Sequence, residues 1–125
     1  MNQSFSIAAR LRSFRYAFAG IAVVLRSQHN AWIHALATVA VVVAGFWLKV
    51  AAADWCWLVL AIAAVWVAEC MNTAIEFLAD LVSPEIHPLI KKAKDAAAGA
   101  VLIAAIAAAI VGVLVFWPYV CCGSK

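Results

Sequence analysis

The chain has 125 residues, of which 69% are hydrophobic and 12% charged, and its formal net charge is +3. A soluble domain is about half apolar and about a quarter charged, so the composition excludes a soluble globular domain, a disordered chain and a secreted disulfide scaffold. Each membrane-spanning helix needs about 20 apolar residues, which leaves room for about three spans. We expect a single membrane-embedded domain over residues 1–125. The basic residues form no stripe interleaved with aromatic residues, and we expect no nucleic-acid partner.

The first predicted element is an amphipathic helix over about residues 5–27. Its large apolar side chains recur every three or four residues, as on one face of a helix. They are Leu11, Phe14, Phe18, Ile21 and Leu25. Arg12, Arg15 and Arg26 fall on the opposite face, and such a helix lies in the membrane interface with its apolar side down. A signal peptide is the alternative interpretation, but no small-x-small cleavage site follows the apolar run.

Three long apolar segments follow, at about residues 31–48, 55–80 and 92–117. Each is long enough to cross the hydrocarbon core of a bilayer. Tryptophans stand near the ends of the segments, and these rings prefer the level of the lipid headgroups. The sequence therefore predicts an all-α integral membrane protein, with three transmembrane helices after the amphipathic surface helix.

The basic residues predict the orientation of these spans. Seven of the nine fall on one side of a three-span arrangement: Arg10, Arg12, Arg15, Arg26, Lys91, Lys92 and Lys94. Lys49 and Lys125 fall on the other side. Loops rich in Lys and Arg face the cytoplasm, so we expect the N-terminus and the loop over residues 83–94 to be cytoplasmic.

The second span carries a polar stripe that needs an explanation. Its members are Glu69, Asn72, Thr73, Glu76 and Asp80. At 100° per residue they occupy one arc of about 100° on the helix, although an ionisable residue within a span costs roughly 2.5–3.5 kcal/mol. A helix–helix contact through Asn72 and Thr73 is the structural alternative. It explains Glu69 and Glu76 poorly, because their like charges repel unless a cation or a shared proton relieves them.

The stripe is confined to the cytoplasmic end of the predicted helix. An ion pathway would need polar lining across the whole membrane, whereas a site where a lipid headgroup meets a cytoplasmic solute needs this end alone. Lys94 is near enough in depth to reach an anion that a divalent metal holds on Glu76, although it is equally well explained as a charge that snorkels to the headgroups. Glu85 and His87 lie in a proline-stiffened loop and are free to contact a solute, but a histidine there is more often merely solvated.

Two segments resemble the prokaryotic diacylglycerol kinase family. They are residues 68–76 (AECMNTAIE) and residues 93–102 (AKDAAAGAVL). The resemblance covers nearly the whole chain, beginning with the amphipathic helix. The loop at residues 83–88 (SPEIHP) is more similar to the branch that phosphorylates undecaprenol than to the branch that acts on diacylglycerol.

The resemblance implies a small homotrimeric lipid kinase of the bacterial cytoplasmic membrane, with active sites shared between subunits. It would transfer the γ-phosphate of MgATP to the primary hydroxyl of diacylglycerol or undecaprenol at the cytoplasmic face. Glu69 would be the general base, Asn72 would support it, and Glu76 would bind magnesium. The implied nucleotide-binding residues are Tyr16, Gln28, Glu76, Glu85, His87, Lys94 and Asp95. The implied lipid-binding residues are Ser13, Phe14, Phe18, Glu69 and Ala98.

The sequence departs from the family pattern at one metal position. The family's second metal-binding carboxylate precedes the first span, and Gln28 stands there in this chain. A neutral amide oxygen should hold magnesium more weakly, so either a neighbouring group compensates or the site depends on Glu76 and Asp80. The alternative to an enzyme is a small oligomeric membrane protein without catalytic activity, either an ion or proton pathway or a scaffold.

Overall fold

The structure is a computed structural model that describes residues 6–83 and 87–121. Within these ranges the chain forms four α-helices and no strands. The helices are α1 (Ile7–Ser27), α2 (His29–Trp47), α3 (Ala52–Val82) and α4 (Pro88–Cys121). The predicted all-α class is confirmed. The helices begin and end a few residues away from the predicted segments, because hydropathy marks the part of a helix that lies in lipid and not its polar ends.

Three of these helices are long and apolar enough to cross a membrane. They are α2, α3 and α4, with 19, 31 and 34 residues. At 1.5 Å per residue α3 is about 47 Å long, which exceeds the roughly 30 Å of a bilayer's hydrocarbon core. A helix of this length extends past the hydrocarbon on at least one side unless it is strongly tilted.

The first helix is amphipathic, as predicted, and packs against α2 and α3 along a narrow strip. Ser6 caps its N-terminus by accepting a hydrogen bond from the Ala9 backbone N–H. Val24 is buried, whereas the large apolar side chains of Phe14 and Phe18 are more than 60% exposed. The chain itself leaves the apolar face of α1 uncovered, which is the arrangement expected of a helix lying in the membrane interface.

A tight turn joins α2 to α3. Lys49 has φ 53°, the left-handed conformation in which most helices use glycine after their last turn. The Val50 N–H donates to the Gly45 carbonyl at 3.0 Å, and the Lys49 N–H donates to the Phe46 carbonyl at 3.2 Å. These two bonds define a Schellman motif. The motif makes α2 and α3 antiparallel neighbours.

The end of the bundle near this turn, residues 45–58 with the facing part of α4, is called the turn end below. A small apolar core forms there around Val50, Leu58 and Val115. The Tyr119 hydroxyl of α4 donates to Asp54 Oδ2 at 2.7 Å and accepts from the Ala51 backbone N–H at 2.9 Å. Both apolar packing and polar contacts therefore hold α3 and α4 together at this end.

A glycine allows close packing between α2 and α3 at the turn end. A Cβ atom on Gly45 would lie 2.6 Å from Cζ2 of Trp55, nearer than two carbons can approach. The Trp55 ring also packs against Phe46 with ring centroids 5.0 Å apart. Gly45 is therefore the residue that lets the indole lie directly against the α2 backbone.

Candidate functional site

The polar stripe of α3 faces the interior at the end of the bundle opposite the turn. Glu69 is 1% exposed, Asn72 6% and Thr73 2%, while Glu76 is half-buried and Asp80 exposed. The stripe therefore runs from the buried middle of α3 to its surface-exposed end. Buried ionisable groups in a spanning helix are costly and usually functional, so this stripe is the starting point for the site.

Glu76 is held by two amide groups from different parts of the chain. Gln28 Nε2 donates to Glu76 Oε2 at 2.5 Å, and Asn72 Nδ2 donates to Glu76 Oε1 at 2.9 Å. Gln28 is the single residue between α1 and α2, and its backbone is extended, with φ −113° and ψ 117°. This break in the helices turns the Gln28 side chain toward α3. The family resemblance implied that Gln28 and Glu76 occupy the same metal site, and the structure brings their side chains into contact.

Glu69 faces a histidine that the sequence argument did not assign to the site. His34 Nε2 of α2 lies 3.9 Å from Glu69 Oε2. The Thr73 hydroxyl, one turn further along α3, donates to the backbone carbonyl of Glu69 at 2.9 Å. An ionisable residue within a span is by itself a reason to suspect function, and that rule, applied to His34, would have identified it.

A cleft of about 260 Å³ opens between α2, α3 and α4 beside these groups. Five of the residues predicted for the site line it. They are Gln28, Glu69, Asn72, Glu76 and Ala98. Asn30 and His34 line it as well and were not predicted. The polar walls come from α2 and α3, whereas α4 contributes apolar side chains, so the cleft has one charged side and one hydrocarbon-like side.

The cleft adjoins a second, apolar cavity that extends toward the turn end. This cavity measures about 410 Å³. Ile33, His34 and Ala105 line both spaces, so the boundary between polar and apolar surroundings lies at these three residues. A molecule with a hydroxyl headgroup and a hydrocarbon tail matches that change in polarity.

The charged residues predicted at the start of α4 lie outside the cleft. Lys94 Nζ donates to Asp80 Oδ1 at 2.7 Å, and Lys91 Nζ donates to Asp95 Oδ2 at 2.5 Å. The imidazole Nδ1 of His87 accepts from the Leu89 backbone N–H at 3.2 Å, at the N-terminus of α4. The structure thus places this basic and acidic cluster at the exposed end of α3 and α4.

The residues predicted on α1 also lie outside the cleft. Tyr16 is 64% exposed, and the Arg15 guanidinium lies 5.6 Å from the centroid of its ring. Ser13 donates to the Ala9 carbonyl at 3.1 Å, and Phe14 and Phe18 are exposed. Glu85 lies outside the described residues. The single chain therefore brings together the residues of the carboxylate stripe, and it leaves those of α1 on an open surface.

The polar atoms around Glu76 can be compared with the preference of magnesium for oxygen ligands. Over residues 6–83 and 87–121 no group of three His, Cys, Asp or Glu side chains could hold a metal. Magnesium, however, usually needs one or two protein carboxylates together with substrate phosphates. Glu76 supplies one carboxylate, and Asn72 Oδ1 is buried with no hydrogen-bond partner among the described residues. Asp80 faces Lys94 instead. Glu76 and Asn72 Oδ1 therefore offer oxygen ligands that fit a magnesium ion, whereas Gln28 turns its Nε2 toward Glu76 and would have to flip its amide group to offer an oxygen.

Comparisons with known proteins agree with the motifs. The sequence profile of the prokaryotic diacylglycerol kinase family matches residues 15–116. The chain is 41% identical over 107 residues to an undecaprenol kinase of Bacillus subtilis, covering 86% of this chain and 87% of that protein. It is 48% identical over 103 residues to a diacylglycerol kinase of Synechocystis, covering 82% of this chain and 59% of that relative.

A more distant relative is a diacylglycerol kinase of Escherichia coli K12, which is 36% identical over 84 residues, 67% of this chain and 69% of the relative. The chain belongs to the prokaryotic diacylglycerol kinase family. The resemblance inferred from residues 68–76 and 93–102 is thereby confirmed, and membership supports lipid kinase activity in a membrane protein.

Proposed function

We propose that the protein transfers the γ-phosphate of MgATP to the primary hydroxyl of a membrane lipid at the cytoplasmic face of the bacterial cytoplasmic membrane. The observation that carries the proposal is the pair of carboxylates on one face of α3. Glu69 is buried in the cleft that adjoins the apolar cavity, and Glu76 is half-buried two turns nearer the exposed end. One carboxylate is thus placed to meet a lipid hydroxyl and the other to meet phosphates.

Glu69 is the proposed general base. In the transfer, the lipid hydroxyl gives its proton to a Glu69 carboxylate oxygen, and the hydroxyl oxygen forms a bond to the γ-phosphorus. The bond between the γ-phosphorus and the bridging oxygen breaks, and ADP leaves with that electron pair. Phosphoryl transfer needs mainly positioning and charge neutralisation. A buried base at a fixed depth in the membrane would position the lipid hydroxyl and accept its proton.

Glu76, Asn72 and Gln28 are the proposed phosphate side of the site. Magnesium, when bound there, would neutralise charge that develops on the phosphates. Glu76 supplies the protein carboxylate, while Asn72 bonds to Glu76 at 2.9 Å and lies between the two carboxylates in sequence. Gln28 offers a neutral amide in place of a second carboxylate. We therefore expect the nucleotide phosphates to provide most of the remaining ligands.

The remaining nucleotide contacts are proposed to come from more than one subunit. Lys94 and Asp95 carry charges at the exposed end of α4, and Tyr16 lies on the open face of α1. Within one chain none of the three lines the cleft. A homotrimer with shared sites, as the family resemblance implies, would let one subunit's α1 or α4 complete the cleft of its neighbour. Glu85 and His87 belong to the same proposed nucleotide set.

The proposed acceptor is a lipid with a primary hydroxyl, either undecaprenol or diacylglycerol. The relatives named above include kinases with both acceptors in their names. The apolar cavity beside His34 and Ala105 supports either lipid, because it offers space for a hydrocarbon chain next to the polar cleft. Ser13, Phe14, Phe18 and Ala98 remain the predicted lipid contacts.

The test is phosphate transfer from labelled MgATP in mixed micelles, with undecaprenol and diacylglycerol offered separately. Each lipid is tested with the wild-type protein, with Glu69→Gln and with Asp54→Asn. The Asp54 variant makes the same chemical change at the turn end of the same helix. We expect label in one or both lipids, a loss of at least 100-fold in Glu69→Gln because a general base contributes about 10²–10⁴-fold, and little change in Asp54→Asn.

Two results would contradict the proposal. The first is a folded wild-type protein that labels neither lipid, which would favour a membrane protein without catalytic activity. The second is a Glu69→Gln variant that transfers phosphate at the wild-type rate. Nucleotide binding by Glu69→Gln, measured by equilibrium dialysis, should remain, since the lost group serves the acceptor and not the nucleotide.

A further inference from the structure

We propose that His34 is a positioning residue that orients the Glu69 carboxylate, an inference that rests on the proposed role of Glu69 as the base. His34 Nε2 lies 3.9 Å from Glu69 Oε2, and the two side chains are 15% and 2% exposed. Both line the same cleft. Burying a polar imidazole costs free energy unless it has a polar partner. The Glu69 carboxylate is placed to be that partner.

A second pair of polar contacts fixes α2 at the level of His34. The Thr38 hydroxyl donates to the His34 backbone carbonyl at 2.7 Å and accepts from Trp66 Nε1 of α3 at 3.0 Å. These bonds tie α2 to α3 one turn away from the imidazole. They determine which face of α2 meets α3, and so they hold His34 opposite Glu69.

The surroundings leave His34 as the group placed to orient Glu69. Among the described residues that line the cleft, His34 is the only side chain that can carry a positive charge. The other carboxylate, Glu76, is already bonded to Gln28 and Asn72. The contributions of α4 to the cleft are apolar side chains. Next to Glu69 in the chain, Cys70 is half-buried and does not line the cleft; it lines one cavity between α1 and α3 and another between α1, α2 and α3.

The distance of 3.9 Å is about 1 Å longer than a hydrogen bond. Catalytic hydrogen bonds are often long in the absence of substrate and tighten in the reacting complex, and a water molecule can bridge such a gap. With its proton on Nε2, the imidazole donates toward Oε2 of Glu69. This contact would hold the carboxylate in one orientation and leave Oε1 to accept the hydroxyl proton.

The first test compares two substitutions of similar size at this position. His34→Gln keeps an amide N–H donor, while His34→Leu removes the donor and keeps the volume. We expect His34→Leu to lower kcat by about 10- to 100-fold, the usual effect of losing a partner that orients a reacting group, with the KM for MgATP unchanged. His34→Gln should recover most of that loss. His29→Leu, a change at an exposed histidine of the same helix, is the control and should leave kcat unchanged.

The second test does not depend on activity. The protein contains three histidines, so ¹⁵N-labelled imidazoles in detergent micelles give few signals, and the His34 signal is the one absent from His34→Gln. We expect Glu69→Gln to move this signal and Asp54→Asn to leave it in place. A His34 signal that Glu69→Gln does not move overturns the proposal.

The kinetic outcomes are equally decisive. Equal losses in His34→Leu and His34→Gln would mean that the imidazole shape matters and not its N–H donor, which overturns the positioning role. An unchanged kcat in His34→Leu overturns it as well. A wild-type protein that transfers no phosphate refutes the proposed function, and the ¹⁵N signal still decides whether His34 and Glu69 are paired.

Discussion

The contact between Gln28 and Glu76 predicts what happens when the missing carboxylate of the family pattern is restored. Gln28 Nε2 donates to Glu76 Oε2 at 2.5 Å. In Gln28→Glu this donor becomes an oxygen, and two carboxylates face each other across the same short gap. Without a cation the contact changes from attractive to repulsive. With magnesium, the same two carboxylates would act as a pair of ligands, as the family resemblance implies.

The expected size of the effect follows from the geometry. Two unit charges 4 Å apart repel by about 4 kcal/mol at an effective dielectric constant of about 20, and a hydrogen bond to a charged group is worth roughly 1.5–3 kcal/mol. The new Glu side chain can rotate away, which recovers part of this energy. We therefore expect Gln28→Glu to lower the free energy of unfolding by about 2–4 kcal/mol in the absence of magnesium.

The assay is chemical unfolding in detergent micelles with ATP present, first in EDTA and then over a magnesium titration. Binding to the folded state alone stabilises by RT ln(1 + [L]/Kd), so a tighter site gives a steeper gain in stability. We expect magnesium to stabilise Gln28→Glu more than the wild-type protein, with an apparent Kd lower by about tenfold, which corresponds to about 1.4 kcal/mol.

Ser27→Glu is the control, because it adds the same charge on an exposed side chain one residue away. It should show neither the loss in EDTA nor the added response to magnesium. If Gln28→Glu is as stable as the wild-type protein in EDTA, the contact with Glu76 is not made. If magnesium stabilises both proteins equally, Gln28 lies outside the metal site.

Three further predictions concern the turn end and are measured as changes in the free energy of unfolding in micelles. Gly45→Ala should destabilise the protein by about 1–3 kcal/mol, because the new Cβ would overlap the Trp55 ring and overpacking costs this much. Combining it with Trp55→Phe should recover part of the loss. If the losses of the two substitutions simply add, Gly45 and Trp55 are not in contact. Lys49→Gly should stabilise by about 1 kcal/mol, since glycine adopts positive φ without strain; Lys49→Val should not. Tyr119→Phe should destabilise by about 1–3 kcal/mol, because Asp54 loses its donor, whereas in an Asp54→Asn background the same change should cost less.

The helices were predictable because membrane spans leave a strong mark on a single sequence. Hydropathy alone located α2, α3 and α4, and the spacing of Glu69, Asn72 and Glu76 predicted that they share one face of α3. Both features depend only on residues close together in the sequence, since a helix places residues three, four and seven apart on the same side. The burial of Glu69 and Asn72 agrees with that spacing.

The contacts between helices were harder to predict, because they depend on how α2 packs against α3. His34 is separated from Glu69 by 35 positions, and a single histidine in an apolar segment has no spacing pattern that points to its partner. The Schellman motif was hidden as well, because Lys49 occupies the position where glycine would have marked it. The roles predicted for Tyr16 and Lys94 stay predictions, since one chain leaves both outside the cleft.

The tight turn at Lys49 has a mechanical consequence for the two walls of the cleft. It allows α2 to pivot where Gly45 meets Trp55, about 17 Å from His34 along the helix at 1.5 Å per residue. A rotation of about 3.5° at that pivot would move His34 by about 1 Å, enough to shorten its 3.9 Å distance to Glu69 to a hydrogen bond. The distance between His34 and Glu69 therefore depends on the turn as well as on the Thr38–Trp66 contact beside His34. If His34 has the proposed role, a substitution at Gly45 or Lys49 that rotates α2 would change the rate of phosphate transfer without altering any residue of the cleft.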